Sequence, residues 1–366
     1  MTSSLKIVTI VGARPQFIKA ATVSRILRSH SKITEILVHT GQHYDQNMSE
    51  VFFDELEIPK PEYNLGIGSG NHGMQTGRMI EAIEQVLLEE KPDWLLVYGD
   101  TNSTLAGAIA ASKLHIPIAH VEAGLRSFDN QMPEEINRIL TDRISTILFA
   151  PTTTAVNHLK NEGINDNSIY LVGDVMYDAA MYYRQKAEFS SNIITNLNLQ
   201  THNYILATIH RAENTDNFEI LANIFNSLIN LSQEIKIVVP LHPRTKKILD
   251  TLNLFDMVNS NLTLIEPVGY FDMILLEKNA KLIATDSGGI QKEAYFYQVP
   301  CVTLRDRTEW VELVESGWNT LVSTQSSQNV ITQIQQVLQK PLPPTNQLIY
   351  GDGTAANKIV DILCTL

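Results

Sequence analysis

The stretch LKIVTIVGARPQFIKAATVSRILRSH, Leu5–His30, sets the fold class. Its first seven residues form an apolar run without regular polar alternation, which suits a strand buried on both faces of a sheet. Gly12 then permits a tight turn, and apolar residues from Phe17 onward recur at helical spacing. Strand, turn and amphipathic helix are the opening half of a parallel β-α-β unit. The alternation continues through TEILVHT, DWLLVYG, IPIAHV, TILFA and SIYLVG, separated by segments such as MIEAIEQVLLEE and EEINRILTDRI. A doubly wound α/β domain follows.

The pattern restarts with NYILATI, IKIVVPL, LTLIEP, KLIATD and PCVTL, spaced by helical segments such as NFEILANIFNSLINL. Between the two halves, within 172–200, VGDVMYDAAMYYRQ gives way to the polar SSNIITNLNLQTHN. Two Rossmann-like domains, 1–175 and 176–349, with an interdomain cleft are expected. A chain of 366 residues with 44% hydrophobic composition is long enough for two such cores.

The balance of 28 Lys and Arg against 40 Asp and Glu gives a net charge of -12, which argues against a non-specific nucleic-acid binder. A small anion held by a few local arginines remains compatible with it. Cys301 and Cys364 have neither zinc-site spacing nor the density of a disulfide scaffold, so a reducing cytoplasm is expected. The first apolar run is far shorter than the ~20 residues that span a bilayer and leads into Arg14 rather than a cleavage site. No membrane insertion is expected.

In open parallel sheets ligands sit beyond the carboxyl ends of strands, so the residues after each run carry the chemistry. After the first strand, Arg14 and Lys19 place two cations at the start of a helix, as an anion site or as a solvated surface turn. After LLVYG comes Asp100, ahead of Thr101 and Ser103, where a helix cap is the plain alternative to an active acid. Glu122 follows IPIAHV, and Glu134 and Glu135 open a helix whose dipole they would complement in any case.

In the second half, His210 and Arg211 follow one strand while His242 and Arg244 follow the next. Such a local excess of basic groups suits a pyrophosphate. Ser287, Gly288 and Gly289 then lead into a helix, where backbone N–H groups form a phosphate cradle, with Glu293 one turn on in reach of ribose hydroxyls. The GSGNHG segment, Gly68–Gly73, matches a dinucleotide pattern but lacks a preceding apolar strand, so it is expected to be a flexible loop over the cleft.

Taken in order, GARPQFIK, TGQH, GDTNSTLA, HVEAGLRS, MPEEINR, HRAEN, TDSGGIQKEA and YGDG span nearly the whole chain. In this the chain resembles the non-hydrolysing UDP-N-acetylglucosamine 2-epimerases. The resemblance implies two GT-B-type domains, a C-terminal helix (350–366) returning to the first domain, a homodimer, a UDP-sugar substrate, and no cofactor or metal. Asp100, Glu122, Glu134 and His210 are then implied to be catalytic. Arg14, Lys19, Arg138, Arg211, His242, Tyr270, Phe271, Ser287, Gly288, Gly289 and Glu293 are implied to bind substrate, with Tyr270 and Phe271 beside the uracil.

One segment departs from the family's common form. RDRTEWVE carries Trp310 where arginine is usual, and with GARPQFIKA, HTGQHYD, YGDTNSTLAGA and TEWVELV it is closer to the branch acting on UDP-2,3-diacetamido-2,3-dideoxyglucuronic acid. The resemblance implies epimerisation at C2 of a UDP-2-acetamido sugar for surface polysaccharide or lipopolysaccharide precursors. The alternatives are a GT-B glycosyltransferase and a hydrolysing 2-epimerase, which share the UDP cradle but differ in the fate of the sugar.

Overall fold

The computed structural model describes residues 4–42, 60–344 and 348–366. The chain divides into two compact units, Met1–Tyr182 with Leu348–Leu366, and Tyr183–Gln347. In the first, β1 (Leu5–Val11), β2 (Ile33–His39), β3 (Tyr63–Asn64), β4 (Trp94–Tyr98), β5 (Ile118–Val121), β6 (Ile147–Ala150) and β7 (Ile169–Leu171) form a sheet in the order 3-2-1-4-5-6-7. Every pairing is parallel, with Ile7 of β1 opposite both Glu35 of β2 and Trp94 of β4. Ile7, Val8, Ile10 and Val11 have no exposed surface, as a strand covered on both faces requires.

The order reverses between β1 and β4. At such a switch point the connections leave toward opposite sides and open a crevice at the carboxyl ends. The turns carrying Gly12 and Asp100 therefore flank it.

The second unit repeats the plan. β8 (Tyr204–Thr208), β9 (Lys236–Pro240), β10 (Thr263–Ile265), β11 (Leu282–Thr285), β12 (Cys301–Thr303) and β13 (Asn319–Leu321) are parallel in the order 10-9-8-11-12-13. Its switch point lies between β8 and β11, the strands followed by His210 and by Ser287–Gly289.

The first unit runs past 175 to Tyr182 because the helix Val175–Ser190 begins inside it. Val175, Met176, Ala179 and Ala180 are buried there. The terminal helix Ala355–Thr365 packs on α1 (Arg14–Ser29), burying Ile359, Val360 and Leu363. Its first turn is anchored by Asp178, whose Oδ2 accepts a hydrogen bond from the Ala356 N–H at 2.8 Å.

Burial pushes the Asp178 carboxyl up to about 6, against the lowering influence of the Ala356 and Ala355 N–H groups. The folded state thus binds this proton more tightly than the unfolded chain, and stability falls as pH rises from about 4 to about 6. Asp178→Asn should remove that loss. Its unfolding free energy should gain on that of the unsubstituted protein between about pH 4 and about pH 7, by on the order of 3 kcal/mol. Parallel pH responses of the two proteins would contradict the assignment.

Candidate active site

Gly12, after β1, has no room for a side chain: a Cβ would lie 2.0 Å from Ser103 Oγ and 2.2 Å from Thr40 Oγ1. Gln16 locks this turn. Its Oε1 accepts from Gly12 N at 2.8 Å and Ala13 N at 3.1 Å, while Nε2 donates to the Tyr98 carbonyl at 2.8 Å and to Thr104 Oγ1 at 2.9 Å. The end of β1 is thereby tied to the end of β4. Arg14 opens α1, and its side chain lies outside the described residues, as does the His43 end of TGQH.

Lys19, one turn into α1, is buried and ion-paired with Glu122 Oε2. Glu122 follows β5 in the left-handed region, at φ 70°, where a non-glycine residue costs of order 1–3 kcal/mol and persists only when its surroundings impose it. The N–H groups of Glu122 and Ala123 both donate to the Phe149 carbonyl at 3.1 Å, which holds the turn. Gly99, at φ 62° in the turn just after β4, faces the pair, and a Cβ there would sit 3.1 Å from Lys19 Nζ and 3.2 Å from Glu122 Oε2.

Asp100 is not the helix cap. Thr101 takes that role, accepting from Thr104 N at 3.3 Å, so the Asp100 carboxylate is left for other work. Arg138 Nε lies 3.3 Å from Asp100 Oδ2. Burial pushes the Asp100 carboxyl above the usual carboxylate range, opposed by Arg138 and Lys19 and reinforced by Glu122 and Glu134. An acid so placed holds its proton more readily than a surface aspartate.

Adjacent glutamates on the helix Pro133–Ile144 separate cleanly. Glu135 is buried and accepts from Ser127 N and Phe128 N at 2.9 Å each, so it anchors a loop. Glu134 is exposed and lines a cavity of about 260 Å³ together with Gln16, Lys19, His72, Asp100 and Asn137. Sequence reasoning missed Asn137, whose Nδ2 donates to the Asp100 carbonyl at 2.8 Å. Its signal was spacing: three residues past Glu134, it shares that helical face.

GSGNHG lies in the lead into the helix His72–Glu90, behind the two-residue strand β3. Gln75 Nε2 binds the Gly68 carbonyl at 2.7 Å, and Asn102 Nδ2 lies 3.1 Å from His72 Nδ1.

In the second unit His210 and Arg211 follow β8, and buried Asp286 accepts from both backbone N–H groups at 3.0 Å. The same carboxylate lies 3.4 Å from His210 Nδ1. The rings of His210 and His242 stand 5.9 Å apart. Burial, then His210 and Arg244, lower the His242 imidazole. Arg244 is ion-paired with Asp216. Asp286 was read in the sequence only as the end of a strand.

Ser287 caps the helix Gly288–Phe296 without a side-chain hydrogen bond, and Gly288 lets the Glu309 and Arg211 side chains come close, since a Cβ would lie 2.5 Å from Glu309 Oε1 and 3.5 Å from Arg211 Nη2. Gly289 is exposed, while Glu293 is buried one turn on. Trp310 is buried with the Lys292 ammonium 4.2 Å from its ring centroid, a cation–π contact. Of the two expected aromatic contacts, Tyr270 is buried, edge-on to Tyr183 at 5.8 Å, and Phe271 keeps part of its surface exposed.

The family model described as UDP-N-acetylglucosamine 2-epimerase matches residues 25–364. A UDP-N-acetylglucosamine 2-epimerase homolog from Methanococcus maripaludis is 58% identical over 99% of this chain and 100% of its own length. The UDP-2,3-diacetamido-2,3-dideoxy-D-glucuronate 2-epimerase of Pseudomonas aeruginosa is 51% identical, again over 99% of this chain and 100% of its own. Among solved structures, Methanocaldococcus jannaschii UDP-GlcNAc 2-epimerase in complex with UDP-GlcNAc and UDP superposes with a TM-score of 0.90 at 48% identity, covering 99% of this chain and 100% of that one. With its two parallel-sheet α/β units and matches along almost its full length, the chain belongs to the UDP-N-acetylglucosamine 2-epimerase family.

Proposed function

We propose that this chain inverts C2 of a UDP-2-acetamido sugar by eliminating UDP and adding it back. The supporting observation is the convergence of Asp100, Glu134 and the Lys19–Glu122 pair in the first unit. The C2–H of such a sugar is not flanked by a carbonyl and has little acidity. Breaking the C1–O bond to UDP first spreads positive charge over C1 and the ring oxygen, and the C2 proton becomes removable by a carboxylate. The intermediate is a glycal beside UDP. Protonation on the opposite face and return of UDP complete the inversion.

Each step has a group suited to it. Carboxylates stabilise the oxocarbenium-like state and move the C2 proton. Asp100, its carboxyl shifted up by burial, is assigned as the proton donor, and Glu122, ion-paired with Lys19, as an ionised carboxylate. His210, its backbone held by Asp286, is assigned to the departing phosphate oxygen. Arg211 and the N–H groups at Ser287–Gly289 bind the diphosphate, Glu293 the ribose, and Phe271 the uracil. Arg14, Arg138 and His242 complete the proposed substrate contacts.

The proposal extends to a cytoplasmic homodimer, supplying precursors for surface polysaccharides such as lipopolysaccharide. No described helix is long and apolar enough to cross a membrane. We further propose the diacetamido-uronate as the preferred sugar, supported by the Trp310 departure and by the Pseudomonas aeruginosa relative at 51% identity.

Asp100→Asn, Glu122→Gln and Glu134→Gln should each cut turnover about 100-fold or more while UDP affinity stays near that of the unsubstituted protein. Calorimetric UDP titration beside rate measurement checks this, and near-normal turnover in all three returns these acids to a structural role. NMR of the protein with UDP-GlcNAc or the diacetamido-uronate, without added NAD or metal, should show a manno-configured nucleotide sugar. Free UDP with a released sugar would favour the hydrolysing alternative. Transfer to a supplied acceptor would favour a glycosyltransferase. The uronate should be turned over more efficiently than UDP-GlcNAc, by up to about 10⁴-fold if the simpler sugar leaves buried polar partners unpaired. Equal or better efficiency on UDP-GlcNAc would overturn the substrate choice and leave the reaction class standing.

A further inference from the structure

We propose that His120 is a positioning residue for the acid cluster, acting through the carbonyl of Gly99. His120 lies on β5 two residues before Glu122 and has no exposed surface. Its Nε2 stands 2.7 Å from the Gly99 carbonyl oxygen and its Nδ1 stands 2.7 Å from Asp142 Oδ1. That carbonyl belongs to the peptide joining Gly99 to Asp100. The Gly99 N–H is itself committed, donating to the Val121 carbonyl at 2.9 Å. The imidazole thus holds the Gly99–Asp100 peptide at its oxygen, and with it the backbone from which the Asp100 carboxyl projects toward Glu122 and Glu134.

The other side of the imidazole extends this control to the second turn. Asp142 Oδ2 accepts from Gly124 N at 3.1 Å and Arg126 Nη1 at 2.8 Å. Gly124, at φ 84°, sits two residues beyond Glu122 and also has no room for a Cβ, which would lie 2.5 Å from the Ala155 carbonyl oxygen. Arg126 is held in turn by Glu162, through Nε and Nη2 at 2.7 Å each. Burial raises the Asp142 carboxyl, yet His120 and Arg126 together outweigh it and keep it below the usual range. Asp142 thus holds the turn after Glu122 directly, while the turn before Asp100 is held by the His120 Nε2 contact with the Gly99 carbonyl.

A histidine that merely fills the core would be replaced equally well by any polar side chain of similar size. Asparagine and glutamine distinguish the two cases, because the asparagine amide reproduces the position of Nδ1 and the glutamine amide that of Nε2. His120→Asn keeps the Asp142 contact and loses the Gly99 carbonyl, and His120→Gln does the reverse. His120→Asn should lower kcat by about 10- to 100-fold, the scale of a displacement near 1 Å, with KM and UDP affinity little changed. His120→Gln should return kcat to within about threefold of the unsubstituted protein.

Equal kcat in two variants of equal thermal stability would overturn the proposal. If His120→Asn does not fold, a folded His120→Gln decides alone: turnover near that of the unsubstituted protein supports it, and a loss greater than about tenfold overturns it. If neither folds, histidine-labelled unsubstituted protein should show a slowly exchanging Nε2–H for His120, and a ring protonated at Nδ1 alone would overturn the contact. The inference rests on the acid cluster acting on a UDP-sugar. That reading fails separately, if the unsubstituted protein epimerises no UDP-2-acetamido sugar.

Discussion

A glutamate held in left-handed backbone is the constraint around which the first unit's site is built. At φ 70° Glu122 occupies a conformation that glycine would adopt more cheaply, so its side chain must be worth the strain. The turn is imposed by the Phe149 carbonyl on one side and the Asp142 network on the other. Its result is a carboxylate aimed at the Lys19 ammonium beside Gly99, where a Cβ would crowd both groups. Asp100, next along from Gly99, inherits a neighbourhood that disfavours its charge. Two carboxyls close together but differently supported can hold and release a proton in turn, which is the chemistry that inversion at a carbon demands.

The second unit solves a different problem with the same architecture. Its switch-point strands end in the groups proposed to bind the diphosphate: His210 and Arg211, pinned through their backbone by Asp286, and the glycine-rich start of the helix Gly288–Phe296. Rigid placement of such donors matters because a leaving diphosphate is stabilised most by dipoles that need no rearrangement as charge develops. Glu309 lies against Gly288 and is paired with Arg305, and Trp310 faces Lys292, so the RDRTEW segment packs against the proposed cradle.

Most of the architecture could be read from the chain because buried parallel strands announce themselves as apolar runs, and the chemistry of an open sheet lies just after them. Short edges escaped: β3 and β13, at Tyr63–Asn64 and Asn319–Leu321, are too brief for periodicity to register. Charge alone did not separate Glu134 from its neighbour Glu135. Only helical phase and the loop hydrogen bonds show one lining the cavity and the other buried under Ser127 and Phe128. Asp100 could be read either as a cap or as an acid until Thr101 was seen to cap the helix. His120, Asp142 and Asp286 were invisible as site components because their partners lie far off in sequence, and local patterning carries no record of such bonds.

The central claim is that the C2 proton leaves the sugar and is replaced by one that has exchanged with solvent. Turnover in deuterium oxide, followed by NMR of the recovered nucleotide sugars, tests it without any substitution in the protein. Deuterium should appear at C2 of both substrate and product, with C1 still bound to UDP. Epimerised product that retains full protium at C2 would contradict the elimination mechanism and the roles assigned to Asp100 and Glu122.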